Sequence, residues 1–215
     1  MCKNKLTKLI LLRHCQAEGN LKRFFQGRID SDITDTGRLQ IAQAAELLSS
    51  EPIDVIYTTS LQRARKTADG INIYHEAPLF IDDGLIEIDP GEWEGRYLTD
   101  IEREYPEQYY NWRNDPAAFA APGGETMEDV YNRTSKALMN IVSENKGKTI
   151  CIVSHGCAIK NMMCFLRGLP VSRIKEVPLG TNTSVNVIGF DDAMKPTIIM
   201  DNYTDHLQKT FGERI

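Results

Sequence analysis

Two histidines stand at equivalent points in the chain. In residues 8–14, Lys-Leu-Ile-Leu-Leu-Arg-His, an apolar run stops on Arg13 and His14; in residues 149–156, Thr-Ile-Cys-Ile-Val-Ser-His-Gly, another stops on His155 and Gly156. Apolar runs without polar alternation suit strands covered on both faces, as in a parallel sheet. In open α/β sheets ligands bind beyond the carboxyl ends of the strands, which is where both imidazoles fall. A third run, residues 54–58, leads through Ser60 to Arg63. There, in the first turn of an expected helix, backbone donors favour an anion and a guanidinium adds bidentate phosphate geometry. A Gly/Trp loop carries Glu87, with Glu92 and Glu94 close by.

Taken singly, each feature has a plainer explanation. A strand-end histidine usually hydrogen-bonds to backbone, and a charged helix residue usually faces solvent. Taken together they describe a phosphate pocket. Arginines neutralise the nonbridging oxygens, one imidazole nitrogen attacks phosphorus, and the second imidazole donates to the equatorial oxygens of the transition state. The attacking nitrogen must be neutral, so the other nitrogen of that ring should donate to a backbone carbonyl or similar acceptor.

The elements that must position these groups follow from the pattern. Residues 37–49 read as an amphipathic helix with Leu39, Ala42, Ala45 and Leu48 as its stripe and residues 34–36 as its cap region. Ser60 reads as the N-cap of a helix whose buried stripe is Leu61, Ala64, Ala68 and Ile71. From residue 85 to 126 periodicity gives way to Gly, Pro and aromatics, with short helices expected around residues 99–105 and 107–114. This stretch reads as an insertion folding over the sheet edge, a lid or specificity wall, although most of its aromatics taken singly are better read as packing. Residues 126–145 form the longest helix, capped by Thr126 with Asp129, its core face being Val130, Ala137, Leu138, Ile141 and Val142. A helix over residues 157–166 follows the strand at 149–154. Residues 183–190 and 197–200 read as closing strands with an antiparallel edge, and residues 203–215 as a polar tail with no readable role.

At 215 residues, 41% hydrophobic and 26% charged, the chain suits one sizeable α/β core with an insertion. No apolar run approaches the roughly 20 residues that cross a bilayer, and residues 1–8 are too polar for a signal peptide. The net charge of -5 argues against non-specific nucleic-acid binding. The five cysteines, Cys2, Cys15, Cys151, Cys157 and Cys164, contain no Cys-x-x-Cys pair. They fit reduced thiols in the cytosol better than a disulfide frame or a zinc site.

The ordered set Arg13-His14 with Asn20, Ser60-Leu61-Gln62-Arg63-Ala64 with Thr67-Ala68, Glu87-x-x-x-Gly91-x-Trp93-Glu94-Gly95, and Ser154-His155-Gly156 resembles the histidine phosphatase superfamily, that of cofactor-dependent phosphoglycerate mutase, fructose-2,6-bisphosphatase and α-ribazole phosphatase. The resemblance implies a three-layer α/β/α fold with a mostly parallel sheet, no metal and no cofactor, and a phosphohistidine intermediate. It implies His14 as nucleophile, Glu87 as general acid and then base, and Arg13, Arg63 and His155 as phosphate clamp. Asn20, Gln26, Gly27 and the Gly156 amide are similar to lesser substrate contacts. Cys15 departs from the family, which most often has Gly there; Ala17 stands where a hydroxyl is common, and Gln16 where an acid is usual. The family's mutases carry a longer insertion after the catalytic Glu, and the Gly123-Gly124-Glu125-Thr126 turn is similar to the phosphatase branch. The expectation is therefore a cytoplasmic, metal-independent phosphatase of small phosphorylated metabolites, one domain over residues 1–215 with a lid at about 86–126, with neither nucleic acid nor membrane as partner and with a homodimer left open. The alternatives are a mutase-type phosphoryl transferase and a non-catalytic phosphate-binding domain. Lys22, Arg23 and Arg28 are the loop cations that could meet a second anionic group, or simply be solvated.

Overall fold

The computed structural model describes residues 6–207; Cys2 and residues 208–215 of the tail lie outside them. Six strands, β1 (Thr7–Arg13), β2 (Val55–Thr58), β3 (Leu79–Ile81), β4 (Thr149–Ser154), β5 (Val185–Phe190) and β6 (Pro196–Tyr203), form one sheet in the order β3-β2-β4-β1-β5-β6. β3, β2, β4 and β1 pair in parallel, and antiparallel pairing is confined to the other side, where β5 joins β1 and β6. The helices are α1 (Glu18–Lys22), α2 (Asp35–Leu48), α3 (Gln62–Asn72), α4 (Leu98–Glu104), α5 (Pro106–Asn114), α6 (Met127–Glu144) and α7 (Gly156–Leu166).

Strand periodicity builds three layers. Successive side chains of β1 point to opposite faces. Leu9 and Leu11 join the core formed with Leu138 and Ile141 of α6 and Ala158 and Met162 of α7; Ile10 and Leu12 join the core formed with Ala44 and Leu48 of α2 and Ala64 and Ile71 of α3. β1 and β4 run side by side in register from Lys8 opposite Thr149 to Arg13 opposite Ser154, so Arg13-His14 and His155 emerge at one end.

Several local expectations need correction. In α2 the buried residues are Gly37, Ala44, Ala45 and Leu48, while Leu39 is 43% exposed. Steps of three residues rotate 60° short of a turn each, so Leu39 and Leu48 lie about 180° apart. Ser60 does not cap α3. That helix starts on Leu61, and its first amide, Gln62 N–H, donates to the Asp30 carboxylate at 2.6 Å, a cap supplied from another loop. β3, three residues long, was too short to read from pattern. The expected strand at residue 183 starts at Val185 because Thr183 holds a left-handed φ of 57°. The α3 stripe, the α6 core face and its Thr126–Asp129 capping box are as expected.

Candidate active site

His14 follows β1 and is 2% exposed. Its Nδ1 lies 2.6 Å from the carbonyl of Cys15. A carbonyl only accepts, so Nδ1 carries the proton and Nε2 keeps its lone pair. Burial first, then the charges of Arg63 and Arg13, push this imidazole well below the ordinary histidine range. A neutral ring with the unprotonated nitrogen identified is the state a nucleophile requires.

His155 is fully buried, its ring centroid 5.2 Å from that of His14. Its Nε2 lies 2.8 Å from the Thr59 hydroxyl, and its Nδ1 is buried without a partner among the described residues. The arrangement that lets this buried nitrogen donate has the Thr59 hydroxyl donating to Nε2. Burial, followed by Arg63, His14 and Arg13, also pushes this ring well below its ordinary value.

The two arginines are fixed by carbonyls. Arg13 Nη1 donates to the Gly180 carbonyl at 2.6 Å; Arg63 Nη1 and Nη2 donate to those of Ile29 and Gly27, both at 2.7 Å. Arg63, read singly as a solvated helix residue, is 1% exposed. The Nε groups of both arginines are buried and, among the described residues, unpartnered. Burial pushes both guanidiniums down, with Glu87 opposing more than any other carboxylate. Arg13 Nε, Arg63 Nε and His155 Nδ1 are thus three buried donor positions beside the His14 ring, the set a phosphoryl group asks for.

Glu87 accepts from the amides of Cys157 and Ala158 at the start of α7, at 3.2 and 3.1 Å. Of the three loop carboxylates it alone lines the cavity: Glu92 accepts from the Tyr105 hydroxyl and Glu94 from the Arg28 amide. Arg133 of α6 holds this loop by donating to the carbonyls of Gly84 and Ile86 at 3.1 and 2.9 Å and to the Glu125 carboxylate at 2.9 Å. Gly91 (φ 54°) is pressed so closely to the Pro122–Gly124 turn that a Cβ would stand 2.2 Å from the Pro122 carbonyl. The Gly-Gly turn therefore docks the Glu87 loop.

A cavity of about 540 Å³ opens over these groups. Arg13, His14, Asn20, Gln26, Gly27, Arg63, Glu87 and Gly156 all line it; His155 does not, its ring lying 5.2 Å from that of His14. Asn20 Oδ1 accepts from the Ala17 amide at 3.0 Å, and Gln26 Oε1 from the Ser31 hydroxyl at 2.7 Å. Gly27 contributes through its carbonyl, which holds Arg63. Gly156 leaves room for Arg13, whose Nε would lie 3.3 Å from a Cβ there. Cys15 packs: its sulfur faces Gly37 of α2, and burial pushes the thiol up.

Three groups of residues escaped the sequence. The loop cations Lys22, Arg23 and Arg28 do not line the cavity; Lys22 pairs with Glu18, and Arg28 with Asp89 and Glu125. Arg113, Lys160 and Lys175 line it instead. The strap at residues 180–184 braces the end of β1: Thr183 N–H donates to the Arg13 carbonyl at 3.1 Å and Asn182 Nδ2 to that of His14 at 2.9 Å. Arg133 left one signal, a charge three residues after Val130 on the apolar side of α6.

A profile of the histidine phosphatase superfamily (branch 1) matches residues 9–200. Phosphoserine phosphatase 1 of Hydrogenobacter thermophilus is 32% identical over 208 residues, 97% of this chain and 98% of that one. The solved structure of Bacillus stearothermophilus YhfR superposes with a TM-score of 0.89 at 30% identity, covering 93% of this chain and 98% of its own. The α-ribazole phosphatase of Shigella flexneri, at 23% identity, TM-score 0.81 and 91% and 96% coverage, shares the fold. The chain belongs to the histidine phosphatase superfamily and is a phosphatase that works through a phosphohistidine.

Proposed function

We propose that His14 carries the phosphoryl group and that the substrate is a small phosphomonoester, hydrolysed in the cytosol by one domain whose residues 86–126 form the cover. The observation that carries this reading is the His14 ring itself: neutral, its Nδ1 proton on the Cys15 carbonyl, set beside three buried donors.

Nε2 of His14 attacks phosphorus as the bond to the substrate oxygen breaks. Arg13, Arg63 and His155 hold the equatorial oxygens, whose charge stays in a site largely shielded from water. Glu87, protonated for this step, gives its proton to the departing alkoxide. In the second half it takes a proton from water, the oxygen of that water attacks phosphorus, and the P–N bond breaks to return neutral His14. A relative named a phosphoserine phosphatase supports the small-metabolite class, and four buried free thiols among the described residues support a reducing compartment. Rapid quench with labelled p-nitrophenyl phosphate should yield an acid-labile adduct on His14, and EDTA should leave turnover unchanged. An adduct on another residue, or loss of activity with chelator, would overturn the assignment.

A further inference from the structure

One hydroxyl beneath the site serves two of its members at once. Thr67, on α3 one turn after Arg63, is fully buried and does not line the cavity. Its Oγ1 donates to the Arg63 carbonyl at 2.7 Å and accepts from the Cys15 amide at 3.0 Å. The directions are fixed: an amide only donates and a carbonyl only accepts, so the single hydroxyl proton points at Arg63.

The bond back to Arg63 is local and ordinary for a threonine inside a helix. The bond from Cys15 is neither, since it crosses 52 positions and ties the segment after β1 to α3. Cys15 is also the residue whose carbonyl accepts from His14 Nδ1. The peptide unit between His14 and Cys15 is held at both ends, its carbonyl by Asn182 and its amide by Thr67. The next amide, Gln16 N–H, donates to the Gln40 side chain at 2.8 Å. The carbonyl that sets the His14 tautomer thus stands between two anchored amides. Of these three anchors Thr67 alone also bonds to Arg63. A buried N–H left without an acceptor is expensive, which keeps the Cys15 bond closed.

Building on the reading above, we infer that Thr67 is a positioning residue: its hydroxyl locks the His14–Cys15 peptide to the turn of α3 that bears Arg63, so the attacking imidazole and one clamp of the phosphoryl oxygens keep a fixed spacing through a single atom. Thr67 reaches no substrate, and its contribution falls on the chemical step rather than on binding.

The test is rapid quench with labelled p-nitrophenyl phosphate on the wild type, Thr67→Val, Thr67→Ala and Thr67→Ser, separating the rate constant for phosphoenzyme formation from the amount formed. Thr67→Val keeps the shape and removes the hydroxyl; its rate constant should fall roughly 10-fold to 10²-fold, with the steady-state KM changed by less than about threefold. Thr67→Ala should fall as far, and Thr67→Ser should recover most of the wild-type rate constant. A role in folding alone lowers the amount of phosphoenzyme and leaves the rate constant of the folded fraction unchanged. That result, a loss confined to KM, or a Thr67→Ser enzyme as slow as the variants without a hydroxyl would overturn the inference. If Thr67→Val does not fold, Thr67→Ala against Thr67→Ser decides it by the same rate constants. Absence of any phosphohistidine in the wild type would instead overturn the reading on which the inference rests.

Discussion

At the sheet end of the cavity each side chain of the candidate site is held by backbone groups: His14 by its neighbour Cys15, and, from distant segments, Arg13 by Gly180, Arg63 by Gly27 and Ile29, Glu87 by Cys157 and Ala158. At the outer end, Trp112 packs edge-on against Phe25 and Phe119, but the side chains of Arg113 and Lys175 are exposed and make no ion pair or hydrogen bond among the described residues. Transition-state stabilisation needs donors fixed before the charge develops, because reorganisation then adds nothing to the barrier. Recognition of the rest of a substrate tolerates side chains that settle on binding, at some loss of affinity. On the reading proposed above, the sheet end is built for chemistry, and the outer end is held far less tightly.

His14→Ala should break the chemical end most completely, lowering kcat on the order of 10⁴-fold or more and leaving no acid-labile phosphoenzyme after rapid quench. An adduct that survives would move the nucleophile elsewhere. Arg63→Met should lower kcat by roughly 10²-fold to 10³-fold. It should also lower stability, because the Gly27 and Ile29 carbonyls lose their donors, at about 1–3 kcal/mol for each group left unsatisfied. Arg113→Met is the matched control from the outer end and should change the unfolding free energy measured in urea by less than about 0.5 kcal/mol. Equal destabilisation by the two substitutions would erase the contrast.

Asn182→Ala removes the side-chain donor to the His14 carbonyl and should lower kcat roughly tenfold with KM little changed, since small misplacement of a reacting group is expensive. A change confined to KM would make Asn182 a substrate contact instead.

A further expectation concerns stability against pH. His14 and His155 are neutral when folded and free to protonate when unfolded. The unfolded chain therefore binds more protons in acid. The stability these rings contribute is complete above pH ~6.5 and declines as pH falls below that, by up to about 1.4 kcal/mol per pH unit for each ring. Urea titrations between pH 7 and 5 should show this slope, and His155→Gln should reduce it. A pH-independent midpoint would mean that the rings titrate normally.

How much of this was visible beforehand divides along the same line. Arg13, His14, Arg63 and His155 could be read because each follows directly on a strand or opens a helix, and an apolar run of Val, Ile and Leu marks where a strand ends. Their supports could not. Asp30 caps α3 across 32 positions, Gly180 meets Arg13 across 167, and Asn182 meets His14 across 168. No periodicity relates such partners; only the tertiary fold does. Lys160 was hidden differently, since a lysine inside the apolar helix α7 looks like a side chain escaping to solvent until the cavity beside it is known.

Thr183 has a further consequence. It is a β-branched residue in the left-handed region, a backbone state disfavoured by about 1–3 kcal/mol, and it is fully buried with its amide on the Arg13 carbonyl. Together with β4 and β5 it surrounds a strand that the ribosome makes first with segments that it makes much later. A nascent chain halted near residue 175 would already possess Arg13, His14, Arg63, Glu87 and His155 and still be without the brace on the Arg13 and His14 carbonyls. Competence to react should therefore arise only when the closing hairpin arrives.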